Sequence, residues 1–502
     1  MSTSAVSSDL EHFSDVITRR LGLQFEDAKL SFLSEVLHRR LDVLNRSAPA
    51  YLRMLEKEPC DVELGCLAQE LTVGETYFFR NIEQFNALAE VVLPDRMRAQ
   101  SANKTLRILS AACASGEEPY SIAAIARETV VDPSWQIFIH AVDLNPAVLD
   151  KARRARYSSW SLRETSSEAR RKWFRQDGRD SVLDESLRST VSFQEGNIAT
   201  DDAELWRPDA YDVVFCRNVL MYFAPDQARA VVARIARALA PGGYLFLGHA
   251  ETLRGVSDDF HLKHTHHAFY YERKATFEPD RVYSAPAWPR LVSPVTPAET
   301  FGAAWVDAIS AASERVEALV RTQGLAKRRV APPRQTWDLG PVLDLLGKEC
   351  FAEALATIRR LPPESDDDPD TLLLEAMLLA HGGDFPAAEA VCRRLLLIDE
   401  LNAGAHYAMA LCRESVGDPE GAAEHDRVAA YLDPAFAMPR LHLGLLARHL
   451  GDRPAARREL ALALVLLKRE EPSRLLLFAG GFNREALVAL CRSALLDCGG
   501  QA

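Results

Sequence analysis

Several absences narrow the reading of this 502-residue chain before any motif is considered. No apolar run reaches the ~20 residues needed to cross a bilayer, so membrane insertion is not expected. The opening residues, MSTSAVSSDLEHF, lack the basic-then-apolar pattern of an export signal. The nine cysteines include no CxxC pair, and Cys113 and Cys216 fall inside apolar strand-like runs where a disulfide would be disruptive. A reducing, cytoplasmic setting is the expectation. Basic residues are the minority, 59 Lys and Arg against 71 Asp and Glu, and the net charge of −12 argues against a general nucleic-acid binder. The length exceeds what one core serves, so two to four domains are expected.

The most informative stretch present is Ile108 to Ala123, ILSAACASGEEPYSIA. A short apolar strand enters a run of small residues, then two carboxylates, then a helix opened by Pro119. Small residues at a strand-to-helix turn let a backbone approach a ligand closely. Glu117 and Glu118 decide which ligand: a phosphate at a helix N-terminus prefers N–H groups and cations, whereas an ammonium or sulfonium prefers acids. The turn therefore reads as a loop for S-adenosylmethionine. The next strand (135–142) ends in Asp143, where an acid holds ribose hydroxyls or, alternatively, caps the helix that Asn145-Pro146 begins. Further strands are read at 190–194, 211–216 and 244–248, with a helix from Pro225 to Ala240 stopped by Pro241-Gly242-Gly243. This alternation predicts a doubly wound, mostly parallel sheet covered on both faces. Ligands of such sheets sit beyond the strands' carboxyl ends, where Glu117, Asp143, Asn197, Arg217 and Asn218 all fall.

Together, ETYFFR (75–80), SAACASGEEPYSIA, the Asp143 strand, FCRNVLMYF and GGYLFLGHAETL resemble the CheR family of chemoreceptor glutamate methyltransferases. The resemblance spans roughly residues 10–275, with the motifs in family order. It implies an α/β class I methyltransferase domain behind an N-terminal helical domain, S-adenosylmethionine as donor and no metal. Carried over residue by residue, it implies that Thr76 and Arg80 reach the active site from the inter-domain segment. Arg80 would lie near the methionine end of the donor and the incoming carboxylate. Glu117, or alternatively Glu118, would bind the methionyl amino group. Asp143 would bind the ribose, and Asn197 and Ile198 would flank the adenine. Arg217 and Asn218 would line the donor pocket, and Tyr222 would position the substrate. Gly74 stands where the family often has Asn, leaving only a backbone contact there. Taken alone, Arg80 also reads as a surface ion-pair residue and Tyr222 as a half-buried aromatic.

Outside these motifs, four helices are read at Asp9–Leu21, Ala28–Asn45, Ala48–Glu56 and Asp61–Leu71. Arg39, Arg40, Arg46 and Arg53 would form either a solvated face or a patch for the acidic helical region of a receptor. An insert between Arg156 and Val191, with Trp160 and an Arg-rich helix (166–174), corresponds to the family's small β-subdomain. His261, His264, His266 and His267 lack the spacing of a metal site and read as a polar approach to the last strand. A Pro-rich linker containing one helix (298–322) follows. Gly-Asp at 383–384, 417–418 and 451–452 then recurs every 34 residues, with Ala388, Ala422 and Ala456 in phase. This resembles the tetratricopeptide repeat, with units near 370–402, 403–436 and 437–470, a degenerate one from Pro341 and a capping helix at 475–496. Its groove could take a protein or peptide, or the array could be purely structural. The domains expected are 1–75, 76–275, 276–337 and 338–502. A receptor glutamate O-methyltransferase accounts for every motif. A methyltransferase for small molecules or RNA and a non-catalytic scaffold are the competing readings.

Overall fold

The structure is a computed structural model; it describes residues 3–25, 29–56, 60–72, 74–249, 251–275, 339–348 and 350–499. The chain divides into two compact units, Met1–Ala287 and Trp288–Ala502. The expected linker helix at 298–322 lies outside the described residues.

The first unit is built on strands β1 (Thr105–Ala111), β2 (Gln136–Asp143), β3 (Arg156–Tyr157), β4 (Phe174–Asp177), β5 (Asp180–Leu183), β6 (Val191–Glu195), β7 (Tyr211–Cys216), β8 (Leu239–Leu247), β9 (Phe260–Thr265) and β10 (Ala268–Arg273). Seven of these form one sheet in the order β6-β2-β1-β7-β8-β10-β9. Its first five strands run parallel, while β10 is antiparallel to both β8 and β9. The expected doubly wound class is therefore present. Every residue of β7 is buried, as a strand covered on both faces requires. Phe85, Phe215, Phe246 and Tyr270 stack in sequence across the sheet, with centroids 6.0, 4.5 and 5.2 Å apart. The antiparallel end closes through a two-residue turn at His266 and His267, both left-handed, the backbone of a tight hairpin turn. β3, β5 and β4 make a separate small sheet beside the helix Ser167–Trp173.

One boundary differs from expectation. Pro241-Gly242-Gly243 lies within β8 and does not stop the preceding helix, which ends at Ala238. The register between β7 and β8 shifts there, so Pro241, which cannot donate, is accommodated in the irregularity. The carbonyls of Pro241 and Gly242 accept from Arg96 Nη1 at 3.1 and 3.0 Å. The same guanidinium pairs with buried Asp212 at 3.0 Å, which also accepts from Gln100 and from the Arg107 N–H.

The N-terminal helices are Thr3–Leu21, Leu30–Leu44, Ala48–Glu56 and Asp61–Leu71. Half of the expected basic face is used internally. Arg39 pairs with Glu70 at 2.7 Å, and Arg40 pairs with Glu63, which also accepts from the Tyr51 hydroxyl. Arg46 and Arg53 remain exposed.

In the second unit the 34-residue period has a physical cause. Gly383, Gly417 and Gly451 take left-handed φ values of 81°, 76° and 82°, which only glycine adopts without strain. The aspartate after each caps the next helix: Asp384, Asp418 and Asp452 accept from Ala387, Gly421 and Ala455 N–H. The helix pairs are Pro369–His381 with Phe385–Ile398, Ala403–Ser415 with Pro419–Leu432, and Ala437–His449 with Arg453–Leu467. Gly340–Gly347 and Phe351–Ile358 precede them. Ala388, Ala422 and Ala456 are fully buried at the same station of each pair. The expected single capping helix is instead two, Pro472–Phe478 and Arg484–Asp497, broken where Gly480 and Gly481 turn left-handed.

Removing one partner of a buried ion pair costs about 3–5 kcal/mol. Asp212→Ala should therefore lower the unfolding free energy of the first unit by that amount in urea titration. A loss below about 1 kcal/mol would show the network to be dispensable.

Candidate active site

The loop after β1 is tightly bent. Ala112, Ala114 and Gly116 all take positive φ, at 61°, 47° and 92°, and for alanine this is an uncommon conformation that its surroundings must enforce. Asp143, at the end of β2, does much of the enforcing. Its carboxylate accepts the Ala114 N–H and the Asn145 N–H, each at 2.8 Å. Burial pushes this carboxyl up, and those N–H groups hold it down. Asp143 does not cap the next helix. Asn145 does, accepting from Ala147 and Val148 N–H. A Cβ at Gly116 would come within 2.8 Å of Ala152 Cβ, so the loop and the helix Pro146–Arg154 meet without a side chain between them.

A cavity opens beyond the carboxyl ends of β1, β2, β6 and β7. Ala112, Ala114, Asp143, Asn197, Ile198, Asn218 and Tyr222 line it from the sheet side. Leu21, Leu23, Leu71, Thr72 and Gly74 line it from the N-terminal helices. The two sides are joined by hydrogen bonds: Gln24 N–H to the Tyr222 carbonyl at 2.8 Å, Asn197 Nδ2 to the Arg20 carbonyl at 3.2 Å, and Asn145 Nδ2 to Thr72 Oγ1 at 3.2 Å. Leu23 and Phe223 form an antiparallel bridge. The helical domain is thus a wall of the pocket. A Cβ at Gly74 would meet Val148 Cγ1 at 3.2 Å. Among the described residues, the lining holds one carboxylate, no lysine or arginine, and aliphatic side chains from both walls. That donor set fits a sugar-bearing, cationic or neutral ligand with an apolar ring, and disfavours a phosphate.

Thr76, Arg80, Glu117 and Arg217 are not among the lining residues. Thr76 is half-buried on the segment between the helices and the sheet. Phe78 and Phe79 anchor that segment. Phe78 lies edge-on to Tyr157 and Phe174 at 4.8 and 4.9 Å, and the Phe79 N–H donates to Ser121 Oγ at 2.9 Å. Phe79 and Asn81 are both left-handed, at 57° and 61°, so Arg80 projects from a kink between two constrained residues.

Arg217 is buried, its side chain 2 % exposed, and lies 3.3 Å from Glu118. It donates to the Arg80 carbonyl and to Asn81 Oδ1 at 2.6 and 2.8 Å. Burial pulls this guanidinium down, and Glu118 opposes that. Arg217 therefore serves as a brace behind the segment that carries Arg80, a role its place in the FCRN motif did not specify. The two glutamates diverge. Glu117 is fully buried, accepting from Ser115 Oγ at 2.7 Å with Lys151 at 4.0 Å. Glu118 accepts from Ser110 Oγ at 2.7 Å and faces Arg217 and Arg80. Glu117 Oε1 has no hydrogen-bond partner among the described residues, while Glu118 faces Arg217 and Arg80, and neither glutamate is among the residues lining the cavity. Burial raises both.

Glu251 was missed. It lies in the GHAETL motif, is 6 % exposed, and accepts N–H groups from Asn218, Val219, Leu220 and Gly248 at 2.6–2.9 Å. It holds the loop that carries Asn218, left-handed at 57°, and Tyr222. A Cβ at Gly248 would come within 2.6 Å of its carboxylate. A buried acid beside a strand-end glycine was the available signal.

Fold and cavity together define a class I methyltransferase. The CheR methyltransferase SAM-binding domain matches residues 74–269. Chemotaxis protein methyltransferase 2 of Vibrio cholerae is 35 % identical over 51 % of this chain and 89 % of its own length. The chain belongs to the CheR methyltransferase family. The probable biofilm formation methyltransferase WspC of Pseudomonas aeruginosa is 29 % identical over 89 % of this chain and 96 % of its own, a similarity that extends across both units. Among solved structures, PcrH from Pseudomonas aeruginosa is similar at 20 % identity over 28 % of this chain and 96 % of that one, with a TM-score of 0.23.

Glu251→Ala strands four N–H groups, each costing about 1–3 kcal/mol when left unsatisfied. Affinity for S-adenosylhomocysteine should fall at least about tenfold, which is ~1.4 kcal/mol, with a lowered melting temperature. Unchanged affinity in a folded variant would separate Glu251 from the pocket.

Proposed function

We propose that this chain transfers the methyl group of S-adenosylmethionine to glutamate side chains on the cytoplasmic helical region of a bacterial chemoreceptor, giving methyl esters in chemosensory adaptation. The observation that carries the reading is a pocket with, among the described residues, a single acid and no cation, bordered at Gly74 by the segment that leads to Arg80. The full-length relatives named for biofilm formation favour a circuit governing that behaviour. Residues 1–75 and 76–275 form the catalytic body in this reading, 276–337 the linker and 338–502 the recruiting or regulating array.

Bound in the pocket, S-adenosylmethionine supplies an activated methyl group. Asp143 holds its ribose, Asn197 and Ile198 flank the adenine, and Asn218 forms the adjoining wall. Glu118, in place of Glu117, receives the methionyl ammonium. An acceptor glutamate is already ionised near neutral pH, its ordinary pKa being about 4.3, so no general base is required. The new bond joins carboxylate oxygen to methyl carbon, the methyl–sulfur pair stays on sulfur, and no proton moves. What remains is orientation, worth several kcal/mol. Arg80 orients the acceptor carboxylate by paired hydrogen bonds, and its hold must relax as the carboxylate loses charge. Tyr222 steers the same group with its hydroxyl. Thr76 lines the acceptor's approach, and Arg217 keeps the Arg80 backbone in place.

The test is transfer of a labelled methyl group from S-adenosylmethionine to a receptor cytoplasmic fragment. The label should leave as methanol in mild base, whereas base-stable label would identify another product and overturn the reading. Arg80→Ala should reduce transfer by about 100-fold, ~2.7 kcal/mol, while leaving S-adenosylhomocysteine affinity within a few-fold. In parallel titrations, Glu118→Gln should weaken donor binding more than Glu117→Gln; the reverse order would restore the methionyl contact to Glu117.

A further inference from the structure

The helix Pro472–Phe478 departs from the repeat pattern. In a regular array each new helix stacks on the pair before it. Here it is the following helix, Arg484–Asp497, that packs on Arg453–Leu467. Pro472–Phe478 packs instead on Gly340–Gly347 and Pro369–His381, far back in the chain. Phe478 reaches Tyr407 at 5.8 Å and Phe436 at 4.8 Å, and a Cβ at Gly404 would come within 2.9 Å of its ring. One short turn therefore touches the first helix of three successive pairs and the residue that opens the fourth. It crosses the inner face of the array, the surface that repeat solenoids use for recognition.

The seat has the character of a binding site. Leu475, Leu477 and Phe478 are buried, while Leu476 on the opposite side is 37 % exposed. His381 Nε2 lies 2.8 Å from the Leu477 carbonyl. Arg474, one turn before Phe478, pairs with Asp433 at 3.1 Å and lies over the Phe436 ring at 4.4 Å. Beneath, His442 stands edge-on to Tyr407 between Glu414 and the fully buried Asp426, at 3.0 and 2.6 Å. His442 and Asp426 form a buried charged pair, a poor way to gain stability that suits a floor built for recognition, and Glu414 flanks them from the surface. Pro472 opens the turn, and left-handed Gly480 and Gly481 release the chain from it.

We propose that the inner face of the repeat unit is a docking site for a helical turn of a partner protein with consecutive aliphatic residues, a terminal aromatic and a cation one turn earlier, and that Pro472–Phe478 occupies it as an internal stand-in. A tethered segment is present at an effective concentration of order millimolar, so a partner binds by displacing it.

The probe is a fluorescein-labelled peptide of residues 469–483, titrated into the full-length chain and into the full-length Leu475→Ala/Phe478→Ala variant. The variant should bind the peptide at least about 100-fold more tightly than the unaltered chain, as an internal competitor at that concentration requires. The same peptide carrying Phe478→Ala should not bind. A folded variant that ignores the peptide, or equal binding by both chains, overturns the proposal. Should the variant lose its helical circular dichroism, amide exchange of the unaltered chain decides. Faster exchange at 473–480 than at 454–466 supports a displaceable turn, and equal protection shows ordinary core.

Discussion

The site is organised around one buried guanidinium. Arg217 is removed from water at the end of β7, where an unpaired charge would be prohibitive, so its guanidinium needs partners. Its two terminal nitrogens find them in Glu118 from the loop after β1 and in the Arg80 carbonyl and Asn81 side chain from the segment after the helical domain, while Nε has no hydrogen-bond partner among the described residues. A buried pair of this kind adds little stability but fixes geometry. It locks the loop after β1 and the segment that carries Arg80 into one register, and the left-handed backbone at Phe79 and Asn81 is tolerated because that register is over-determined.

A second constraint shapes the donor side. Asp143 ties down the Ala114 amide while Asn145 caps the neighbouring helix, and the N-terminal helices complete the wall through Arg20, Gln24 and Thr72. The pocket belongs neither to the sheet nor to the helices alone. Glu251 plays the matching part on the other side, gathering four backbone N–H groups so that Asn218 and Tyr222 hold their places. Each acid thus does structural service at a strand end, where parallel sheets expose backbone donors.

The strands, their parallel pairing, the four N-terminal helices and the helix pairs were legible because burial imposes period and the Gly-Asp spacing has a local cause in backbone handedness. Of the residues read at strand ends, Asp143, Asn197 and Asn218 line one cavity, and Ile198 and Tyr222, named through the family resemblance, line it too. What was not legible depended on contacts distant in sequence. Which of two adjacent glutamates faces Arg217 is set by a partner about a hundred residues away. The support given by Glu251 to the Asn218 loop is a tertiary bond between two strand ends. Pro241-Gly242-Gly243 reads as a stop, yet Arg96 and the shifted register hold it within β8. The break at Gly480 and Gly481 was hidden inside an apolar run that reads as one helix.

The central claim, a donor pocket walled by both the sheet ends and the helical domain and governed by Asp143, is tested most directly by calorimetric titration of the full chain with S-adenosylmethionine and S-adenosylhomocysteine beside Asp143→Ala. The account predicts that both ligands bind one site per chain and that the substitution weakens each at least about tenfold, ~1.4 kcal/mol. A folded chain that binds neither ligand, or a variant that binds both as well as the unaltered protein, would contradict it.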